Sequence, residues 1–370
     1  MHSRFFARSG PITRRSFAAI LGGSVVWAQK KPGPPIARQG EIVRFADPVT
    51  ETVVARLTNP RTNSRLPAIQ NRFVSARNHF LLFSSDRTGR MAPYHLDLRN
   101  GILRQLADPE QLDPLSLCMD SRERFVYFLD GQTLHEAALT NLKSRTVAEG
   151  VNQFALGAST NEILMLKADR LELMTAGRTI PVGEDAIGAS VRPGRNGCAY
   201  WRSDASRGTQ FWYAPFPPPE AKPKLLASGP VINPIWAVRG DSLFYLRQIT
   251  IPPGDPGANP VITADIHEVV PESGADQRVA ATSQYAAFTP NANASVFVGA
   301  SHSKAQPTIL LLLRTTGREF TLCEHKSSNA AAVSPVFSPN SQRVYFQSDR
   351  EGKWTIYSVN VEKLIEPTDI

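Results

Sequence analysis

Histidine is the side chain best suited to proton transfer near neutral pH, and this chain has seven histidines. His325 stands between Glu324 and Lys326, and an earlier stretch pairs His302 with Lys304. These groups could orient or deprotonate an acidic ligand. We therefore predict His325 as the catalytic residue and Lys326, His302 and Lys304 as ligand-binding residues. A single imidazole does not make a metal site, so no metal ligand is predicted.

Several other chemistries are not supported by the sequence. It contains no G-x-S-x-G elbow, no P-loop and no H-E-x-x-H motif. Cys118, Cys198 and Cys323 are an odd number without a C-x-x-C pair, and each lies in or beside an apolar run. They are expected to behave as small apolar residues, and the sequence leaves their pairing open. The positive charges are dispersed, which argues against a nucleic-acid partner.

A repeated segment indicates which elements position these residues. Phe80–Arg90 continues to Tyr94–Leu98, and Arg343–Lys353 continues to Tyr357–Val361 in the same spacing. Each copy has an apolar run, a Ser-Asp-Arg-x-Gly turn and a second apolar run, and a degenerate copy begins at Ala199. We interpret the turn as scaffold, with the Asp bonding amides of its own turn and the Gly supplying a positive φ.

The apolar run recurs seven times, at intervals of about 36–53 residues. No amphipathic helical pattern separates the runs, which argues against a βαβ fold. The sequence therefore predicts an all-β, seven-bladed β-propeller over residues 42–370, with about four strands per blade. The runs begin near Phe80, Phe125, Ile163, Ala199, Leu243, Val296 and Val344.

Two arrangements are open for the β-rich segment before the first repeat. Thr52–Thr58 could become the outer strand of the last blade, because Glu362–Ile370 leaves little room for another strand there. Alternatively, Val43–Thr58 could form a capping hairpin. We favour ring closure by Thr52–Thr58.

The amino terminus has the pattern of an export signal. Arg14-Arg15 precedes the mostly apolar run Ala18–Ala28, and the first 28 residues contain no acidic residue. We predict a twin-arginine signal peptide at residues 1–28, cleaved after Ala28, and a linker at 29–41. The mature protein is then expected to be periplasmic or extracellular and to meet a membrane only during export.

The repeat resembles that of TolB-type propellers, and within that group the oligogalacturonate lyase family. Ser-Asp-Arg-x-Gly, Tyr-x-x-Asp-Leu and Gly101–Leu106 carry the resemblance. It implies a central funnel that binds short pectic fragments and a manganese ion that assists β-elimination. The family's His-rich metal phrase corresponds here to Ala332 and Ser334, and its other ligands to Asn329 and Tyr285. The resemblance thus implies that the metal ligands are absent.

Three functional interpretations follow. The protein is a catalytically impaired propeller that binds a saccharide or another ligand, an active lyase with an atypical metal site, or a TolB-like platform for protein interactions. We favour the first, with an acidic oligosaccharide or other small ligand as partner. No cofactor is expected, and manganese only if the lyase alternative holds. A funnel lined by Arg, Trp and Tyr would favour a sugar, and an exposed apolar rim would favour a protein.

Overall fold

The computed structural model describes residues 41–157, 162–216, 222–252 and 261–368. The signal peptide predicted at 1–28, and the predicted linker up to residue 40, lie outside this range. The described chain is all-β, with a single-turn 3₁₀ helix at Ala330–Ala332. Its strands form seven sheets arranged as a propeller, which confirms the predicted fold class.

We number the blades 1 to 7 along the chain. Blades 1–6 each have four antiparallel strands in sequence order, the first innermost and the last outermost. Their bounds are β3 Ser64–Arg65, β4 Phe80–Ser85, β5 Ala92–Asp97 and β6 Leu103–Gln105; β7 Cys118–Met119, β8 Phe125–Asp130, β9 Thr133–Ala138 and β10 Ser144–Ala148; β11 Gln153–Leu156, β12 Ile163–Lys167, β13 Arg170–Thr175 and β14 Arg178–Gly183; β15 Gly188–Val191, β16 Cys198–Asp204, β17 Gly208–Ala214 and β18 Lys224–Gly229; β19 Val231–Trp236, β20 Leu243–Ile251, β21 Val261–Val269 and β22 Asp276–Ala281; β23 Tyr285–Pro290, β24 Val296–Ser301, β25 Thr308–Leu313 and β26 Arg318–Glu324.

Each predicted apolar run is the second strand of a blade. The observed starts agree with the predicted ones to within one residue, as for β16 at Cys198 and β28 at Arg343. Five of these strands are buried almost continuously, as the pattern of β8 shows, whereas β16 and β20 are buried in their first halves and become exposed towards their ends. Continuous burial arises because a neighbouring blade packs on each face of a sheet, so the strand has no solvent-facing side.

Blade 7 closes the ring with strands from both ends of the chain. It contains β27 Val336–Phe337, β28 Arg343–Ser348 and β29 Thr355–Asn360, to which β2 Val53–Arg56 adds as the next strand outward. Closure by Thr52–Thr58 is therefore confirmed. The hairpin is also present, because β1 Val43–Ala46 pairs with β2 as a fifth strand.

The Ser-Asp-Arg-x-Gly turn is scaffold, but in two blades its Asp side chain does not bond amides of its own turn, contrary to the sequence prediction. Asp86 accepts hydrogen bonds from the Asn63 backbone N–H and side-chain amide, both at 2.8 Å. Asp349 likewise accepts bonds from Ser327 and Ser328. In both blades the carboxylate holds the loop that leads into the same blade's inner strand. Only in the degenerate copy does the Asp side chain, that of Asp204, accept N–H groups of its own turn. In the other two copies the backbone carbonyl of the Asp accepts the N–H of the turn's Gly.

The inner strand of blade 1 departs from the repeat and crosses the central channel. After β3 the segment 66–72 reaches other blades before pairing resumes at Val74. The Leu66 N–H donates to Gln347 of blade 7 at 2.7 Å, and the Gln70 amide donates to the Pro234 carbonyl of blade 5 at 3.4 Å. We call residues 66–72 the crossing segment.

Candidate functional site

The four predicted site residues lie together in one surface depression of about 580 Å³. One wall is the turn between β24 and β25 in blade 6, and the other is the connection from β26 to β27. Both walls lie near the N-terminal ends of the inner strands β23 and β27. The structure thus brings together two pairs, His302 with Lys304 and His325 with Lys326, that are 21 or more positions apart along the chain. The lining includes His302, Lys304, His325 and Lys326.

His325 joins the two walls through its ring. Its side chain is only 1% exposed, and Nε2 lies 2.9 Å from the Ser301 carbonyl oxygen. Because a carbonyl only accepts, Nε2 carries the hydrogen, and Nδ1 accepts the Ser327 N–H at 3.0 Å. Burial lowers the pKa of His325, which keeps the ring neutral. Both nitrogens are engaged, so proton abstraction by His325 requires the Ser327 bond to open.

The basic side chains of the depression differ in their pairing. Lys326 is half-exposed and places its Nζ 2.7 Å from a carboxylate oxygen of Glu324. Its backbone is left-handed, with φ 46°. Lys304 and His302 are exposed, and neither has an ion-pair partner among the described residues. No acidic residue is among those that line the depression. The surface is therefore suited to an anionic group.

Asp349 fixes the loop that carries this surface. Its Oδ1 accepts bonds from the Ser327 hydroxyl at 2.9 Å and the Ser328 N–H at 2.8 Å, and its Oδ2 accepts the Ser328 hydroxyl. Burial raises the pKa of Asp349, but these hydrogen bonds outweigh burial and hold the pKa below its usual value. Arg350 adds a bond to the Glu324 carbonyl at 2.9 Å. The last repeat turn therefore shapes the depression.

The residues to which the resemblance assigns the metal ligands do not fit a manganese ion. Ala332 has no side-chain donor, and the Asn329 amide oxygen already accepts the Ala331 N–H at 3.1 Å. The Tyr285 ring lies against Gly299 within blade 6, and burial raises its pKa, which opposes the deprotonation that ligation requires. Among the described residues, no three His, Cys, Asp or Glu side chains converge on one point.

Four of the other five histidines of the described chain have side-chain partners within their own blades. His95 stacks on Phe80, with ring centroids 4.5 Å apart, and His135 stacks on Phe128 at 5.5 Å. His267 lies 3.1 Å from a carboxylate oxygen of Asp276. Two further histidines remain: His302 lines the depression, and His79 contacts Arg99 at 2.7 Å. All three cysteines are buried and unpaired.

A second cavity lies in the central channel, where the resemblance implied a funnel, but sequence reasoning identified none of its lining residues. At the C-terminal ends of the inner strands, the central channel contains a cavity of about 430 Å³ lined by all seven blades. Arg72, Arg192 and Trp236 are among its lining residues. No motif marks it, because each blade contributes only one to five residues. The crossing segment, which supplies Arg72, breaks the repeat without leaving a recognisable signature.

Comparisons with solved structures find the same architecture in oligogalacturonate lyases. A manganese-bound oligogalacturonate lyase matches with a TM-score of 0.76 and 15% identity over 88% of this chain and 97% of that chain. The lyase from Vibrio parahaemolyticus matches with a TM-score of 0.76 and 16% identity, over 88% and 98%. TolB from Acinetobacter baumannii matches at only 0.44, with 10% identity over 76% and 78%.

Structural similarity at this sequence identity establishes the fold but not the activity, which has to be inferred from the site. No family model matches the chain, and no curated protein matches it. No helix among the described residues is long and apolar enough to cross a membrane.

Proposed function

We propose that this protein is an exported propeller that binds an acidic oligosaccharide in the depression between blades 6 and 7 and has lost metal-dependent β-elimination. The observation that carries the proposal is that His302, Lys304 and Lys326 line one depression that has no acidic residue in its lining. The residues to which the resemblance assigns the metal ligands, Ala332 and Asn329 among them, offer no free imidazole or carboxylate. The fold shared with oligogalacturonate lyases supports a pectic fragment as the ligand.

The proposed loss of lyase chemistry rests on the side chains available to bind a metal ion. Removal of the proton next to a uronate carboxylate builds negative charge, which a bound divalent cation can stabilise. Ala332 and Asn329 offer no free anionic or imidazole ligand to such a cation. His325 remains the predicted catalytic residue if any turnover persists, but its hydrogen bonds favour a role in holding the two walls together.

Binding without turnover follows from the charges. Lys304 has no acidic partner among the described residues, and Lys326 shares one carboxylate, that of Glu324. Exposed charge pairs typically contribute about 0.2–1 kcal/mol each, so a ligand with two or three carboxylates gains modest affinity. We expect binding that weakens as the salt concentration rises.

The test uses the purified mature protein with di- and trigalacturonate, with and without manganese. Calorimetry measures binding, and ultraviolet absorbance measures the unsaturated product. We expect binding without product, and about 2–5-fold weaker binding for Lys304→Ala. Lys326→Ala should weaken binding more, because it also frees the Glu324 carboxylate. Lys143→Ala, at an exposed turn of blade 2, is the matched control.

The outcomes separate the three interpretations. Robust turnover of trigalacturonate would establish an active lyase and refute the loss of chemistry; turnover that survives in His325→Ala would also remove this residue from the catalytic role. Neither binding nor turnover would refute the saccharide proposal and favour a protein-interaction platform. Binding that is equally weakened by Lys143→Ala would place the ligand elsewhere.

Export is a separate part of the proposal. The paired arginines Arg14 and Arg15 before an apolar run support a twin-arginine route. Replacing both by lysine keeps the charge and should retain the precursor in the cytoplasm. Cell fractionation measures this, and unchanged export of the double variant would exclude the twin-arginine route.

A further inference from the structure

The central cavity has the size and enclosure of a small-ligand site. Its volume of about 430 Å³ lies within the range of ligand pockets, and every blade contributes to its wall. The crossing segment supplies Ile69–Arg72 to the lining. Exposed residues at the lining, Gly194 and Val238, mark its opening to solvent. It lies at the C-terminal ends of the inner strands, whereas the depression lies near their N-terminal ends.

Arg72 brings an unneutralised positive charge to this cavity. Its Nε donates to the Met119 carbonyl and its Nη2 to the Gly157 carbonyl, both at 3.2 Å. These acceptors are neutral, and Nη1 has no hydrogen-bond partner among the described residues. No Asp or Glu is among the lining residues. The acidic side chain of Asp120, in the adjoining groove, accepts backbone N–H groups of its own turn.

A buried hydroxyl without a partner lies in the same wall. Ser190 is 3% exposed, and its Oγ has no hydrogen-bond partner among the described residues. Arg192 is 2% exposed, and its Nη2 also has no hydrogen-bond partner among the described residues. Other nitrogens of Arg192 bind the Gly240 carbonyl and Glu272, so this arginine is already charge-paired. Buried polar groups are seldom left unpaired, so these atoms indicate a polar occupant.

The remaining walls are largely apolar. A ligand that fills the cavity must therefore combine a hydrophobic body with one anionic group, and a planar guanidinium pairs well with a carboxylate. We propose that the central cavity binds a small organic carboxylate with an apolar body, whose carboxylate pairs with Arg72 and accepts the Ser190 hydroxyl. The apolar lining includes Ile69, Leu156, Val191, Ile235, Val336 and Phe337.

Calorimetry with phenylacetate and its neutral analogue phenylacetamide tests this site in the mature protein. Phenylacetate should bind at least about 10-fold more tightly than the amide. Arg72→Met should weaken phenylacetate binding about 10–100-fold, since it removes a charge-assisted pair. Ser190→Ala should weaken it less, and Arg72→Lys should retain part of the affinity. Lys304→Ala, in the depression, should leave phenylacetate binding unchanged.

Equal affinity for acid and amide would overturn the proposal, as would no binding of either probe. Arg72 also bonds two carbonyls, so thermal melting checks that each variant is folded. If Arg72→Met does not fold, the test rests on the Ser190→Ala and Arg72→Lys variants. Unchanged affinity for phenylacetate in both variants would refute the proposed site. Phenylacetate that displaces trigalacturonate competitively would also refute it, because the two cavities would then not be separate sites. This inference does not rest on the proposed function.

Discussion

Replacing Asp349 by Asn tests how the last repeat turn shapes the depression. The exchange keeps the side chain's size and removes its charge. In the wild type, the carboxylate accepts the Ser327 hydroxyl, the Ser328 N–H and the Ser328 hydroxyl. An amide keeps one acceptor oxygen, so the bonds to the other oxygen are lost and those that remain become neutral.

The expected loss follows from these bonds. A hydrogen bond to a charged group contributes about 1.5–3 kcal/mol and a neutral one about 0.5–1.5 kcal/mol. Part of the Asp349 interaction is open to solvent, so we expect a destabilisation of about 1–3 kcal/mol. For a chain of this length this lowers Tm by about 1–4 °C. Ligand binding should fall as well, because the loop that carries Lys326 loses its anchor.

Asp86→Asn is the matched control. Asp86 occupies the same position of the turn motif in blade 1 and accepts two hydrogen bonds from Asn63. It does not line the depression, which is between blades 6 and 7. Thermal melting should show similar losses for both variants, while calorimetry with trigalacturonate should show weaker binding only for Asp349→Asn. Equal effects on binding, or no loss of stability in either variant, would refute the proposed role of the turn.

Three further perturbations probe the scaffold. Burial and the Arg104 charge lower the pKa of His95 to about 4, so the free energy of unfolding should fall by about 2 kcal/mol as the pH drops from 6.5 to 4. His95→Phe should reduce this pH dependence, as measured by urea titration. The same pH dependence in the variant would show that His95 is not its source. Val54→Asp should cost more than about 4 kcal/mol, because Val54 is fully buried at the ring closure, whereas Val53→Asp at a 58% exposed position should be nearly neutral; equal melting temperatures would exclude this closure. Gly299→Ala should lower the free energy of unfolding by about 1–3 kcal/mol, because the new Cβ would lie 2.2 Å from the ring of Tyr285. Adding Tyr285→Leu to this variant should restore part of the lost stability. If it does not, the clash with Tyr285 is not the cause of the loss.

The blade pattern could be predicted because its determinants are local. Each second strand is an apolar run that ends at a turn, and seven runs at similar intervals fix the number of blades. The closure by β2 was also predictable, since an unpaired β-rich segment and a final blade short of one strand complement each other. The two arrangements open in the sequence are both present, because β1 pairs with the outer edge of β2 while β2 pairs with β29.

The depression brings the four predicted residues together because of the repeat itself. His302 and Lys304 follow one blade's second strand, and His325 and Lys326 precede the next blade's inner strand. In a propeller these two loops lie on the same face, so residues from adjacent repeats meet. The sequence did not reveal the state of His325, because its partners are the Ser301 carbonyl and the Ser327 N–H. Backbone groups leave no signature in residue types.

The lining of the central cavity could not be predicted, because it depends on where one irregular segment goes. Residues 66–72 read as a short connection with a Pro and a few polar residues, yet Gln70 reaches Pro234 and Arg72 reaches Gly157. These partners lie 164 and 85 positions further along the chain. A repeat alignment treats such a segment as an insertion and discards it. The crossing segment instead supplies the positive charge of the cavity, so the part of the chain least like the repeat lies where the seven blades meet.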